Sequence, residues 1–322
     1  MVKFIDLFAG IGGLRLGLEN SLRKNEIEHK CVFSSEIDKY SRETYEENFV
    51  EALGHVFNND INSFCVNEIP DHDILLAGFP CQPFSQAGLG KGFEDTRGTL
   101  FYNIAKIIKE KRPTYFLLEN VRGLLSNNKA NKTDVYGETF KTILDVLRRE
   151  LNYNVFWDLL CSKDFGLPQN RKRVYILGSN KDIKFSFPKG NNLKSKVEDI
   201  MEEAVCEKYT ISDRLWTGFR ERKKRNKENG KGFGYGIVDE DSEYTNTISA
   251  RYYKDGAEIL IKQKSGKNPR RLTPREAANL QGFPKSFIIP VSDRQAYRQF
   301  GNSVSINVIE SIFDKLFSLG AV

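Results

Sequence analysis

Short apolar runs alternate with longer segments of helical periodicity through about the first 180 residues of this 322-residue chain. The first run, residues 4–8, leads through a glycine turn into a segment with leucines at positions 14, 16 and 18. Further strand candidates are residues 31–35, 55–57, 73–78, 115–119 and 173–177, and helices are predicted around residues 104–108 and over residues 140–147. Strands that alternate with helices predict an α/β fold with a doubly wound, mostly parallel sheet. Such a sheet binds its ligands beyond the carboxyl ends of the strands.

The alternation breaks down between about Lys184 and Arg270, where Gly, Asn, Lys and Tyr are frequent. We interpret this stretch as part of a second, smaller domain. After it, a short helix is predicted, with Thr273 as its N-terminal cap and Pro274 in its first turn. A last helix is predicted from one apolar face, which consists of Val304, Val308, Ile309, Ile312, Phe313 and Leu316.

Cysteine and histidine usage excludes several classes of site. The five cysteines are scattered without a C-x-x-C pair, and the three histidines lie far from the glycine and cysteine motifs. This pattern argues against a disulfide framework and against a zinc site. The N-terminus lacks the basic region and apolar core of a signal peptide, and no apolar stretch approaches the about 18 residues of a membrane span. We therefore expect a cytoplasmic protein with neither a metal nor a membrane partner.

The glycine turn at residues 6–13 and two carboxylates indicate a nucleotide-like ligand. Glycines let the backbone approach a ligand closely, although Arg15 stands where G-x-G-x-x-G would have its last glycine. Glu36 ends the second strand candidate, where a carboxylate accepts hydrogen bonds from ribose hydroxyls. Asp60 follows the third candidate and is placed to accept a hydrogen bond from an adenine amino group. Each carboxylate alone is equally compatible with a solvated strand end; together they favour an adenosine-bearing cofactor without specifying which one.

Cys81 follows the fourth strand candidate within the segment GFPCQPFS, residues 78–85. The flanking prolines stiffen this turn, and a glycine-rich polar segment after it resembles a loop that closes on a substrate. A buried structural cysteine is the alternative. Glu119 ends the next strand, so a thiolate and a carboxyl are expected to face one pocket and to suit attack on a heteroaromatic ring. Arg173 adds a guanidinium that would orient the substrate.

Six segments occur in the order of the signature blocks of one family. They are DLFAGIGG (6–13), GFPCQPFS (78–85), ENV (119–121), QNRKR (169–173), RLTPRE (271–276) and QFGNSV (299–304). In these segments the chain resembles bacterial DNA cytosine-5 methyltransferases of the type II restriction–modification kind. The resemblance implies a Rossmann-like sheet of S-adenosylmethionine-dependent methyltransferases with a smaller target-recognition domain. Residues 1–184 with 300–322 would form the catalytic, cofactor-binding domain, and residues 185–299 the recognition domain and hinge.

The resemblance also implies which residues contact S-adenosylmethionine. Glu36 would hold the ribose and Asp60 the adenine amino group. The implied cofactor-binding residues are Phe8, Gly10, Gly12, Gly13, Glu36, Ile37, Asp60, Ile61, Pro80, Leu100, Asn302 and Val304. Many relatives carry Trp where this chain has Ile37, so apolar contact would replace ring stacking and the packing on the same cofactor would differ.

For the reaction, the resemblance implies that Cys81 attacks C6 of a flipped-out cytosine and that C5 then accepts the methyl group. Glu119 would engage N3 and the exocyclic amine, and Arg173 the cytosine O2, with Arg171 close behind. The base must leave the helical stack because C6 is inaccessible inside it.

The variable, basic stretch points to double-stranded DNA as the partner. The segment from Lys208 to Lys231 contains nine Lys or Arg residues and only three Asp or Glu residues, and tyrosines follow in a glycine-rich segment. Lys and Arg would contact phosphates and supply salt-dependent affinity. A merely solvated charged loop is the alternative. The predicted DNA-binding residues are Gln82, Ser85, Arg97, Thr247 and Arg251.

Three rival functions are weaker. The tRNA-methylating branch of the superfamily typically carries a Cys-Phe-Thr element that this chain lacks, and a non-catalytic DNA-binding member would be expected to lose the Cys81 or Glu119 motif. A nicotinamide oxidoreductase has no reason to combine Cys81, Glu119 and the arginine pair. A monomer would suffice for a flipped base. The sequence leaves open the recognition sequence and the residue that fills the gap left by the base. It also leaves open whether a cognate endonuclease acts on the same site without direct contact.

Overall fold

The computed structural model describes residues 1–49, 54–80, 100–129, 134–191, 193–232, 234–264 and 266–320. Its centre is a seven-stranded sheet in the order β3-β2-β1-β4-β5-β7-β6, in which only β7 runs antiparallel to its neighbours. The strands are β1 Val2–Leu7, β2 His29–Ser35, β3 Val56–Asn58, β4 Ile74–Gly78, β5 Tyr115–Val121, β6 Asn154–Cys161 and β7 Lys172–Ser179. The predicted doubly wound, mostly parallel α/β sheet is therefore confirmed.

Helices cover both faces of this sheet. Leu14 and Leu18 of α1 pack with Ile309 and Ile312 of α9 on one face, while Ile104 of α3 packs among the apolar residues of the other. The helices are α1 Gly13–Lys24, α2 Lys39–Asn48, α3 Leu100–Lys111, α4 Glu138–Asp145, α5 Asp213–Glu228, α6 Tyr252–Asp255, α7 Pro274–Leu280, α8 Asp293–Asn302 and α9 Ile306–Phe317. The last helix begins two residues later than the apolar face suggested, so Val304 lies in the segment that precedes it.

The antiparallel edge of the sheet was not predicted as a whole, because β6 escaped the sequence analysis. Asp158 interrupts its apolar residues and only three of its eight positions are buried, so they form no continuous apolar run. β7 pairs with β5 in a register that sets Gly178 against Phe116, Tyr175 against Glu119 and Arg173 against Val121. This register places Arg173 beside the carboxyl end of β5.

The basic stretch forms the helix α5 and is not a loop. Ser212 caps the helix by accepting a hydrogen bond from the Leu215 amide at 3.3 Å, and Phe219 is buried against Leu260. Because Phe219 is the only buried residue among those of this helix, the apolar periodicity that identifies a helix in a sequence is nearly absent. Its basic side chains therefore remain at the surface.

A small three-stranded sheet, β8 Ile237–Val238, β9 Leu260–Ile261 and β10 Arg270–Arg271, lies beside α5 to α8. The predicted cap of α7 is confirmed: the Thr273 side chain accepts a hydrogen bond from the Glu276 amide, and Glu276 accepts one from the Thr273 amide in return. Glu276 is fully buried and is paired with the Arg270 guanidinium at 2.6 Å, so the helix start also neutralises a buried charge.

The small sheet and the helices α5 to α8 are called the second region, and Gln169 joins this region to the large sheet. The buried side chain accepts a hydrogen bond from the Ile248 amide at 3.0 Å and donates to the Leu280 carbonyl at 3.1 Å. A β-bridge between Gln169 and Thr245 continues the same contact. Within the described ranges no helix is long and apolar enough to cross a membrane.

We predict that Gly178→Ala destabilises the sheet. A Cβ at this position would lie 1.9 Å from Cζ of Phe116, and such overpacking costs about 1–3 kcal/mol. Gly218→Ala is the control, because a Cβ there meets nothing within 4 Å and Ala favours the helix by about 1 kcal/mol. Urea unfolding of both variants measures the difference; equal stability of the two would contradict the tight β5–β7 register.

Candidate functional site

A cavity of about 410 Å³ opens at the carboxyl ends of β1, β2, β4 and β5. It lies where the strand order reverses between β1 and β4, which is the usual ligand position in a doubly wound sheet. The end of α8 and the residues after it form the opposite wall. Nine of the predicted cofactor-binding residues line this cavity, namely Phe8, Gly10, Gly13, Glu36, Ile37, Pro80, Leu100, Asn302 and Val304.

The glycine turn leaves β1 with a left-handed backbone. Phe8 has φ 54° and Gly12 has φ 80°, conformations that residues with a side chain rarely adopt. At Gly12 a Cβ would lie 2.2 Å from the Phe49 ring, so this glycine permits close packing away from the cavity. Gly10, at φ 56°, has open space where its Cβ would be and lines the cavity, so it is the turn residue that gives a ligand room.

Glu36 is fixed at the end of β2 by two backbone donors. Its Oε2 accepts a hydrogen bond from the Gly10 amide at 2.8 Å, and its Oε1 accepts one from the Asp38 amide at 2.7 Å. Burial raises the pKa of Glu36, and the two amides act in the opposite direction. A carboxylate offers about four acceptor positions, so Glu36 retains capacity for ligand hydroxyls. The next residue, Ile37, is 71% exposed and forms part of the cavity wall.

Gly12, Asp60 and Ile61 do not line the cavity in the described part of the chain. Asp60 caps a short helical turn, since its Oδ1 accepts hydrogen bonds from the Asn62 amide at 3.0 Å and side chain at 2.8 Å. Asn62 in turn accepts a hydrogen bond from Asn103 of α3. The structure therefore places Asp60 in a turn that is tied to α3.

Glu119 and Arg173 face the cavity as a pair. Arg173 Nε lies 3.1 Å from Glu119 Oε1, and both side chains are at least 85% buried. Burial raises the pKa of Glu119, while Arg173 and Arg171 counteract that shift. Among the described residues this Oε1 has no partner with hydrogen-bond geometry, so the pair is held by charge and the oxygen stays available. Glu119 is thus a buried carboxyl that protonates more readily than an exposed one.

Arg171 lies behind this pair and bonds to backbone carbonyls. Its guanidinium donates to the Ile248 carbonyl at 3.1 Å, to the Gly301 carbonyl at 3.3 Å and to the Ser303 carbonyl. The side chain is 2% exposed, and burial followed by the nearby Arg173 charge lowers its pKa to about 9. Although it lines the cavity, its donors are directed at the chain itself, so it positions the segments around the site.

Asn120 holds the segment that leads to the cysteine. Its side-chain amide donates to the Phe79 carbonyl at 2.8 Å, and its side-chain oxygen accepts a hydrogen bond from the Val121 amide at 2.8 Å. The chain from Phe79 continues through Pro80 to the predicted nucleophile. Cys81, Gln82, Ser85 and Arg97 lie outside the described residues. The sequence motif contained Asn120, but only the structure shows that it connects β5 to β4.

The wall formed by α8 contributes residues that the sequence analysis did not assign to the site. Gln299 is buried and clamps α8 to α2, because it donates to the Tyr40 carbonyl at 2.8 Å and accepts a hydrogen bond from the Thr44 hydroxyl at 3.1 Å. Gln295, Arg298, Gln299, Asp38 and Ser41 also line the cavity. Gln299 is the first residue of the QFGNSV block, and Gln295 and Arg298 lie just before it, whereas Asp38 and Ser41 had no such signal.

Thr247 and Arg251 lie where the second region meets the 169–171 segment. The Thr247 hydroxyl donates to the Asn170 carbonyl at 2.8 Å. Arg251 is exposed and precedes α6, and its backbone amide donates to the Ser249 hydroxyl at 3.2 Å. The structure thus puts Arg251 at the surface, four residues from the contact that Thr247 makes with the large sheet.

Comparison with known proteins identifies the family of this chain. The family model for C-5 cytosine-specific DNA methylases matches residues 2–318. Type II methyltransferase M1.ScrFI of Lactococcus lactis subsp. cremoris is 56% identical over 322 residues, which cover 98% of this chain and 78% of that protein. Type II methyltransferase M.HpaII of Haemophilus parainfluenzae is 42% identical, with 97% and 88% covered. This chain therefore belongs to the C-5 cytosine-specific DNA methylase family, and it is a DNA cytosine-5 methyltransferase.

Solved structures agree on the fold. The Dnmt2 methyltransferase of S. pombe superposes with a TM-score of 0.76 at 22% identity, covering 98% of each chain. An Entamoeba histolytica methyltransferase, EhMeth, gives the same score at 21% identity, covering 99% of this chain and 98% of the other. At these identities the likeness concerns the fold alone, and it extends over both regions of the chain.

We predict that Arg171→Met lowers the free energy of unfolding by about 2–4 kcal/mol, because three buried carbonyls lose a charged donor. Arg173→Met is the matched control and should cost less than half as much, since Glu119 can take up a proton when its partner is removed. Urea unfolding at neutral pH measures both. Equal losses would show that Arg171 does not position the surrounding segments.

Proposed function

We propose that this methyltransferase takes its methyl group from S-adenosylmethionine and transfers it to C5 of a flipped-out cytosine in a specific double-stranded DNA sequence. Cys81 would form a covalent bond with C6 of that base. The observation that carries the proposal is the buried Glu119–Arg173 pair, which shares one cavity with Glu36 and the glycine turn. A base-binding group and a ribose-binding group thus lie within one enclosure.

The residues present fit the cofactor. A cavity of about 410 Å³ falls within the about 300–1,000 Å³ usual for sites of this kind. The two amide contacts leave other acceptor positions of Glu36 free, and these would accept hydrogen bonds from the ribose hydroxyls. Gly10 would leave space for the ligand. When bound, S-adenosylmethionine supplies an electrophilic methyl group on a positively charged sulfur. Asp60 would accept a hydrogen bond from the adenine amino group.

Cys81 would begin the reaction as a thiolate that bonds to C6 of the cytosine. The electrons of the C5–C6 double bond then shift through C5 and C4, so that negative charge builds up on N3. Glu119, in its protonated form, donates a proton to N3. The resulting enamine would accept at C5 the electrophilic methyl group that the cofactor would supply. A base then removes the C5 proton, the C5–C6 double bond reforms and the thiolate leaves.

The environment of Glu119 suits this role. Burial raises its pKa, so the proton that N3 needs is retained closer to neutral pH than in an exposed glutamate. Arg173 would bind the cytosine O2 with the donors that do not face Glu119. Arg171 would act on the reaction only through position, because its guanidinium binds the segments that carry Ile248 and Ser303.

The second region would bind the DNA. We propose residues 1–184 with 300–322 as the catalytic domain and residues 185–299 as the recognition domain and hinge. The surface charges of α5 would contact phosphates, and Thr247 and Arg251 would lie near the bases. Gln82, Ser85 and Arg97 would also contact the DNA. Flipping costs a few kcal/mol, which the many phosphate contacts offset.

The relatives named type II methyltransferases place the proposal in a restriction–modification setting. A monomer would suffice, because one flipped base occupies one site. A cognate endonuclease would act on the same sequence without direct contact.

We predict that DNA prepared with 5-fluorocytosine traps the enzyme in the presence of S-adenosylmethionine. Fluorine cannot leave C5 as the proton does, so a Cys81–C6 adduct that survives denaturing gel electrophoresis should accumulate with the wild-type protein and be absent with Cys81→Ala. Cys65→Ala is the control, because Cys65 is an exposed free thiol outside the cavity. Transfer to total RNA but not to DNA would overturn the choice of substrate, and an adduct that persists in Cys81→Ala would overturn the choice of nucleophile.

We predict that Glu119→Gln lowers the single-turnover rate of methyl transfer by about 100-fold or more, since the proton donor to N3 is lost. The raised pKa of Glu119 adds a pH signature: the acid form is lost as the pH rises through that pKa, so the ratio of wild-type to variant rates should fall towards alkaline pH. The control is Glu138→Gln, an exposed carboxylate of α4. A ratio that does not change with pH would show that Glu119 does not act as an acid.

A further inference from the structure

The cavity wall next to the ribose-binding carboxylate carries an aliphatic side chain. Ile37 follows Glu36 directly, is 71% exposed and lines the cavity. An aromatic base attached to a ribose at Glu36 would therefore meet a flexible aliphatic surface on this side. Aromatic rings bind more tightly to a planar partner than to such a surface, so the arrangement leaves one face of the base without a specific contact.

Arg298 of α8 approaches the same place from the opposite wall. Its Nη1 lies 3.4 Å from Oδ2 of Asp38, the residue after Ile37, and it also lines the cavity. About half of the side chain is exposed, so its guanidinium borders the open space. Asp38 therefore links Arg298 to Glu36. Its carboxylate pairs with Arg298, and its backbone amide donates a hydrogen bond to Glu36.

Both partners of this ion pair are held in place. Oδ1 of Asp38 caps α2 by accepting a hydrogen bond from the Ser41 amide at 2.9 Å, which leaves Oδ2 for the guanidinium. The neighbouring Gln299 anchors α8 to α2 through Thr44 and the Tyr40 carbonyl. The backbone that carries Arg298 and the carboxylate that orients it therefore belong to one rigid unit.

We propose that Arg298, oriented by Asp38, lays its guanidinium over the adenine ring of the cofactor. The planar guanidinium stacks on aromatic faces, whereas an ammonium group offers no such plane. A second use, binding the carboxylate of the cofactor, is disfavoured because Asp38 already supplies a negative charge to the same group. The inference rests on the proposed use of S-adenosylmethionine.

Calorimetric titration in the absence of DNA tests the contact, with S-adenosylhomocysteine and 5′-methylthioadenosine as ligands. The second ligand keeps the adenosine but lacks the amino acid end. Arg298→Met is expected to weaken both ligands by about 2- to 30-fold, and Arg298→Lys to weaken both because charge without a plane does not stack. Arg294→Met is the matched control on the same helix, since that guanidinium lies over Tyr253 and does not line the cavity.

A double variant adds a rescue. Ile37→Trp supplies a ring on the adjoining wall, so it should restore much of the affinity that Arg298→Met loses. Weakening of S-adenosylhomocysteine alone would assign Arg298 to the carboxylate and overturn the stacking contact, as would unchanged affinity for both ligands. If the wild-type protein bound neither ligand, the proposed cofactor itself would fall. These results separate a wrong residue from a wrong cofactor.

Discussion

The hydrogen bonds of the 169–171 segment hold the two regions of this protein in one arrangement. Gln169 binds Ile248 and Leu280, while Arg171 binds Ile248, Gly301 and the Ser303 carbonyl, all within the buried interior. These partners are backbone groups, so the contacts fix where chain segments run and not merely where side chains point. The wall that closes the cavity and the region that carries Thr247 and Arg251 both depend on this junction.

Burial raises the pKa of both carboxylates of the site, and different groups oppose that shift. Two amides restrain Glu36, which is suited to accept hydrogen bonds from hydroxyls. Glu119 faces Arg173 without hydrogen-bond geometry, so burial prevails in raising its pKa and makes it suited to carry a proton. One cavity therefore contains a carboxylate with two backbone donors and a second carboxyl whose pKa is raised by burial.

The apolar runs gave correct strands because a strand buried on both faces has few polar positions: Asp6 is the only charged residue in 4–8, and Glu119 is the only one in 115–119. The edge strand β6 and the helix α5 escaped for the converse reason. In β6 the exposed Asp158 interrupts the apolar residues, and α5 buries only Phe219, so neither element has the pattern that its class normally shows. Cys81, Glu119 and Arg173 were predicted as site residues from their positions at strand ends and from the family resemblance.

The sequence by itself determined the alternation of strands and helices, the family and the residue types at the strand ends. These depend on neighbours in the chain, where periodicity and motif order are visible. Only the tertiary structure decided that Arg171 turns to carbonyls while Arg173, two residues later, faces Glu119. It also decided that Arg298 meets Asp38 across 260 positions of chain. Contacts between distant segments arise from how the layers pack, and a single sequence carries no local pattern that specifies them.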